Sequence, residues 1–138
     1  MLRQDCFFVN LQYGNTKQEI EEYVSVQSDI SIYLDDEIDP LKNLDDFATQ
    51  ASILDLVISI DNTTVHMAGA LGQKVWTLLP YTPDWHWMLN REDTPWYPSM
   101  KLFRQAHMNN WSNAFQQVSL ELNQYISDHY VTNPEQKI

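Results

Sequence analysis

Between two apolar runs, "LDLVI" and "VWTLL", lies the segment Ser59–Gly72, "SIDNTTVHMAGALG". Asp61, Asn62, Thr63 and Thr64 are polar residues where a buried strand should hand over to a helix, and His66 follows closely. These residue types at a helix start share one chemistry. Asp61 or Asn62 is able to cap the helix by accepting a first-turn N–H. The amides of Asn62, Thr63 and Thr64 have no carbonyl partner within the helix, and the helix dipole adds partial positive charge beside them. That combination suits an anion, a phosphate above all. His66 stands four residues after Asn62 and three after Thr63, on the same helical face. Its ring would reach an anion held by the amides. The plainer reading stays open: ordinary capping residues, with His66 a partly buried helix histidine.

The surrounding pattern supplies the elements that must hold this segment. Apolar runs predict strands over 7–11, 29–34, 56–60, 75–79 and 100–105, each short and bounded by turn residues. Helical spacing predicts helices over 16–25, 44–54, 62–71 and 112–130,. Thr16 is a candidate cap for the first, and Gly72 ends the third. In the last helix, Phe115, Val118, Leu122, Tyr125 and Ile126 are expected to face inward. Four of the six prolines fall in a long irregular segment, 80–99. Strands alternating with helices predict an α/β fold, a three-layer Rossmann-like open parallel sheet. The near-continuous apolar strand "LVISI" is expected to be buried on both faces. The chain reads as a single domain over 1–130 with a frayed tail at 131–138. In such sheets ligands bind beyond the carboxyl ends of the strands, which is where Asp61–Thr64 fall.

Composition removes several function classes. The chain has 138 residues with a formal charge of -11 and a pI near 4.4. Nucleic-acid binding needs clustered Lys and Arg to neutralise phosphates, so no nucleic-acid partner is expected. No apolar run approaches the ~20 residues of a membrane span, and the first residues, "MLRQDCFFVNLQ", lack the long apolar core of a signal peptide,. The lone cysteine, Cys6, gives no sign of an oxidising compartment, so a cytoplasmic location is expected. His66, His86, His107 and His129 show no metal-ligand spacing, and no metal or cofactor is expected. Neither a nucleophile elbow nor a GxGxxG segment is present,.

The segment Asp55–Gln105 resembles the C-terminal donor-binding domain of heptosyltransferase-like glycosyltransferases, closest to the branch often fused to tetratricopeptide repeats. Asp61, Thr64 and His66 hold the family's Asp-Thr-(Gly/Ser)-x-x-His frame, and "PDWxW…REDxPWYP" follows it. "VNLQYG" resembles the segment that opens this domain, with Gln12 and Gly14 matching. The resemblance implies half of a GT-B fold and inverting transfer of a hexosyl or heptosyl group from a nucleotide-diphosphate sugar, without metal. It implies that Asn62, Thr63 and Thr64 hold the donor diphosphate, that His66 assists, and that Asp61 orients the loop or contacts the donor. It also implies that the acceptor site and the general base belong to an N-terminal partner domain, so no catalytic residue is assigned in this chain. The chain would then be a fragment or a stand-alone half, inactive by itself.

Three positions depart from the pattern. Asn62 replaces a usual Thr, Thr63 stands where heptosyltransferases often have Gly, and His86 stands where Arg is expected. Gln12, Gly14, Trp85 and Arg91 are further candidate donor contacts. Trp85, Trp87, Trp96 and Tyr97 are able to stack a base or sugar, and Arg91 to pair with phosphate. Alternatively the rings pack the loop down and Arg91 pairs with Glu92 or Asp93. The rival classes are a non-catalytic protein-interaction module derived from such a domain and a sugar-nucleotide epimerase of GT-B type.

Overall fold

The computed structural model describes residues 6–27 and 30–132. The chain divides into two compact units, Met1–Leu54 and Asp55–Ile138.

In the first unit, β1 (Phe8–Val9) pairs in parallel with β2 (Ile32–Tyr33), Phe8 opposite Ile32 and Val9 opposite Tyr33. Both strands are shorter than their apolar runs predict, because side chains divert the backbone just beyond them. Asn10 accepts from the Gln12 amide at 3.2 Å and donates to the Thr16 hydroxyl at 3.2 Å. Asp35 accepts from the Glu37 amide at 3.0 Å. Residue 29, predicted to open the second strand, lies outside the described residues. Helix α1 (Lys17–Val26) starts at Thr16 as expected, but the Thr16 side chain makes no capping bond. Gln12 and Gly14 lie in the turn between β1 and α1, and Gly14 has φ +94°, a conformation that favours glycine,. Helix α2 (Leu44–Ser52) is capped by Asn43, which accepts from the Asp46 amide at 3.3 Å. It buries Phe47 and Ala51.

The second unit carries the polar segment. Strands β3 (Val57–Ile60), β4 (Val75–Leu79) and β5 (Met100–Arg104) form an all-parallel sheet in the order β3-β4-β5. Helix α3 (Thr63–Ala70) connects β3 to β4 and α4 (Ser112–Thr132) follows β5. The predicted α/β class with parallel strands in open sheets is what the structure shows. All five β4 residues are buried, as expected for the central strand of a sheet covered on both faces. "LVISI" does not share that burial. Ile58 and Ile60 are 39% and 55% exposed, because β3 is an edge of this sheet.

Side chains alternate across the sheet, which sorts its two coverings. Trp76, Leu78 and Phe103 form one cluster with Ala114 and Val118 of α4. On the opposite parity Val75, Thr77, Leu79, Met100 and Leu102 are buried, and Gly69 of α3 approaches Met100. The inward stripe of α4 runs through Ala114, Val118, Leu122 and Tyr125. Phe115, predicted inward, is 59% exposed; it is displaced by one position because the small Ala114 faces the Trp76 cluster, and it lies instead against Trp111. Gly72 ends α3 as predicted. Its φ is +75°, its amide donates to Gly69 O at 3.0 Å, and Gln73 N donates to Ala68 O at 3.0 Å. This is the Schellman pattern. Among the described residues no helix is long and apolar enough to cross a membrane.

Candidate functional site

The polar segment leaves the carboxyl end of β3. Asn62 is extended, with φ -158° and ψ -178°, and caps α3. Its Oδ1 accepts from Thr64 N at 3.0 Å and Val65 N at 3.4 Å, while its Nδ2 donates to Ser59 Oγ at 3.1 Å. One amide reserved for an anion in the sequence reading, that of Thr64, is therefore already satisfied. Thr63 is exposed and Thr64 buried, so the two hydroxyls do not share a surface. Asn62→Ala is expected to cost about 0.5–2 kcal/mol of stability, the usual loss for a helix cap. Urea unfolding checks it, and an unchanged midpoint would remove Asn62 from the cap.

His66, one turn into α3, is the hub. Its Nδ1 lies 3.0 Å from the Tyr97 hydroxyl. Its Nε2 lies 3.7 Å from Asp61 Oδ1, longer than a good hydrogen bond. Its ring stacks on Trp87 at 5.2 Å and 23° and lies 5.5 Å from the His86 ring. Tyr97 reaches it only because residue 69 is glycine. A Cβ at Gly69 would lie 2.7 Å from Tyr97 Cγ and 3.1 Å from Met100 Cε. Gly69→Ala is thus expected to destabilise the unit by about 1–3 kcal/mol, the range for overpacking, and to break the His66–Tyr97 contact. A perturbed His66 ring signal by NMR together with a lower melting temperature checks this. An unshifted His66 would show that Tyr97 does not depend on the missing methyl.

The segment after β4 brings the other partners. A short 3-10 turn, Trp85–Trp87, places Trp87 at 0% exposure. Arg104, at the carboxyl end of β5, donates from Nη2 to Trp87 O at 2.6 Å and from Nε to Arg91 O at 3.1 Å. Burial first, then repulsion from Arg91, pulls the Arg104 guanidinium below its ordinary pKa, yet a guanidinium stays charged in proteins. Arg91 faces Asp93, with contacts of 2.7 Å and 2.9 Å, and the pairing raises its pKa. Trp96 Nε1 donates to His86 O at 2.9 Å. Trp85 is 83% exposed and makes an edge contact with the His86 ring. A pocket of about 240 Å³ is lined by His66, His86, Trp96 and Tyr97.

The structure thus gathers Asp61, Asn62, Thr64 and His66 and leaves Thr63 and Trp85 in solvent. Gln12 and Gly14 belong to the other unit. The sequence pattern puts Trp87, Trp96, Tyr97 and His86 in one loop without setting them against His66, and it gives Arg104 no role. The only signal for Arg104 was a cation at the end of a predicted strand.

No family model matches the chain, and no solved structure matches it. Protein FlbA of Caulobacter vibrioides is 33% identical to it over 118 residues, which is 86% of this chain and 19% of FlbA. The chain spans about a fifth of the length of that curated relative.

Proposed function

We propose that the chain is the nucleotide-diphosphate-sugar-binding half of an inverting GT-B glycosyltransferase of hexosyl or heptosyl type, acting in the cytoplasm with an N-terminal acceptor domain. The observation that carries this reading is the position of His66. It stands one turn into a helix that leaves the carboxyl end of a parallel strand, and it lines an aromatic pocket. Carboxyl ends of parallel strands are where open α/β sheets take ligands. Rings such as Trp96 and Tyr97 offer faces to a base or sugar. The resemblance over Asp55–Gln105 adds the reaction class. Within this chain the work is binding: Thr63 N–H and the α3 dipole face the anion, and His66 contacts it.

A second reading, a non-catalytic interaction module, is favoured by two observations. Asn62 itself occupies the Thr64 and Val65 amides, and Trp85 and Leu89 are 83% and 69% exposed. Calorimetric titration with UDP, GDP and ADP separates the two, run on chelated protein and again with divalent metal present. The donor reading expects saturable binding that prefers diphosphates over monophosphates and weakens at least about tenfold in His66→Ala, about 1.4 kcal/mol. No binding in either form at millimolar ligand would overturn it for this chain and favour the module.

A further inference from the structure

We propose that Asp61, His66 and His86 form a binding site for one divalent transition-metal ion of the zinc class, with a fourth position open to an anion. One carboxylate oxygen and one ring nitrogen from each histidine lie within 4.8 Å of one another. These residues come from two elements. Asp61 and His66 flank the start of α3, and His86 sits in the 3-10 turn after β4. The inference does not rest on the nucleotide reading.

Three features of the cluster favour an ion over a simple polar contact. First, His66 Nε2 and Asp61 Oδ1 are 3.7 Å apart. Two ligands about 2.05 Å from a tetrahedral zinc ion stand roughly 3.3 Å from each other. The pair is therefore too far apart for a good hydrogen bond and close to the spacing that an ion requires. Second, the Tyr97 hydroxyl lies 3.0 Å from His66 Nδ1. When Nδ1–H donates to that oxygen, the Nε2 lone pair is free and directed at Asp61. Metal-binding histidines are fixed in this way by a partner on the other ring nitrogen. Third, His86 Nε2 is buried and has no hydrogen-bond partner. Buried polar atoms rarely go unsatisfied, and leaving one so costs about 1–3 kcal/mol. An ion would give that nitrogen its partner.

The donor set selects the metal. Two imidazoles and one carboxylate suit zinc and its first-row neighbours, whereas magnesium and calcium take oxygen shells. Three protein ligands leave one position open, on the side of the pocket that His66 and His86 line with Trp96 and Tyr97. The ligands are held from behind. The Asn62 cap fixes the start of α3, Trp96 holds the His86 carbonyl at 2.9 Å, and Arg104 holds the next carbonyl, that of Trp87. A site whose ligands are held in place by such neighbours is preorganised for an ion. The ion would also be the largest local charge. It would put an anion-attracting centre on a chain of formal charge -11, at a helix start whose Thr64 and Val65 amides are already taken by Asn62.

The test uses the untagged full chain, stripped with chelator and free of nucleotide. Cobalt(II) is titrated in and followed by its visible absorption, and zinc is then added to displace it. The expected result is saturation at about one equivalent, with the intense bands of low coordination. The bands should vanish in His86→Ala and in Asp61→Asn, and persist in His107→Ala. Tyr97→Phe should weaken binding by roughly 10–100-fold, the usual effect of removing the hydrogen-bond partner on a ligating histidine's other ring nitrogen. Zinc should raise the melting temperature of the wild type and leave that of Asp61→Asn unchanged. Asp61→Asn preserves shape at a bend, so it decides the matter should His86→Ala fail to fold. Absence of the bands, or bands that survive in Asp61→Asn or His86→Ala, would overturn the site. Because no nucleotide is present, this outcome is independent of the donor titration.

Discussion

Trp87→Ala is expected to lower the stability of the second unit by about 3–5 kcal/mol, the range for removing a large buried aromatic side chain. Trp87 is 0% exposed and sits between two functional candidates, its ring 5.2 Å from that of His66 and 4.7 Å from that of His86. Truncation would leave a cavity that neither neighbour fills, because His66 is held by Tyr97 and the His86 carbonyl by Trp96. One term works the other way. Trp87 Nε1 is buried without a hydrogen-bond partner, so the mutation also removes an unsatisfied donor. Trp87→Phe separates the two terms. It keeps most of the apolar ring and deletes the unpaired N–H, so its loss should be clearly smaller. Guanidinium unfolding followed by far-ultraviolet circular dichroism measures both. Equal losses for the two variants would mean that a phenyl ring recovers none of the packing of the indole.

How much of this was legible in the sequence depended on the range of the forces involved. The bounds of β4 were readable to the residue, because Val75–Leu79 is an apolar run, interrupted by Thr77 alone, that is stopped by Pro80, which has no N–H to continue a ladder,. Helix α3 was readable within one residue at each end, since Asn62 and Gly72 are local start and stop signals,. Phe115 was misplaced because the 3.6-residue period alone does not say whether Ala114 or its larger neighbour faces a wide Trp76 ring. Ile58 and Ile60 were misplaced because an apolar run does not say whether its strand is central or at an edge. At the site, the capping chemistry of Asn62 is local and was foreseen as one of two alternatives. The meeting of His66 with Tyr97, 31 residues on, was not foreseen, nor was its approach to His86. These contacts cross from a helix to an irregular loop, and no periodicity carries them. Gly69 marks the meeting in hindsight: a glycine inside a small-residue helix shows that something packs closely against it, without saying what.

Arg104→Met should cost about 3 kcal/mol, for reasons specific to a half-buried guanidinium that holds two carbonyls,. Hydrogen bonds to charged groups contribute about 1.5–3 kcal/mol each, and Arg104 makes two, to Trp87 O at 2.6 Å and Arg91 O at 3.1 Å. Its remaining Nη1 is buried without a partner, which offsets part of the gain. The lowered pKa has the same origin, burial first and the charge of Arg91 second. The side chain therefore works as a clamp across a loop that holds Met88 and Asn90 in the left-handed region, at φ 56° and 57°. Non-glycine residues adopt such angles at a cost, and the clamp is what keeps the turn wound. Met fills the space of the Arg stem without donating, so the variant isolates the hydrogen bonds from the packing. Arg104→Lys supplies a charge but not the planar fork that spans two carbonyls, and should recover only part of the loss. Since Trp87 O follows His86 directly, loosening the clamp should also shift the His86 and His66 ring resonances. Full stability in Arg104→Met with unshifted histidine signals would show that the loop is held by its rings alone. A loss restored by Lys would mean that charge, and not the fork, is what β5 contributes to the site.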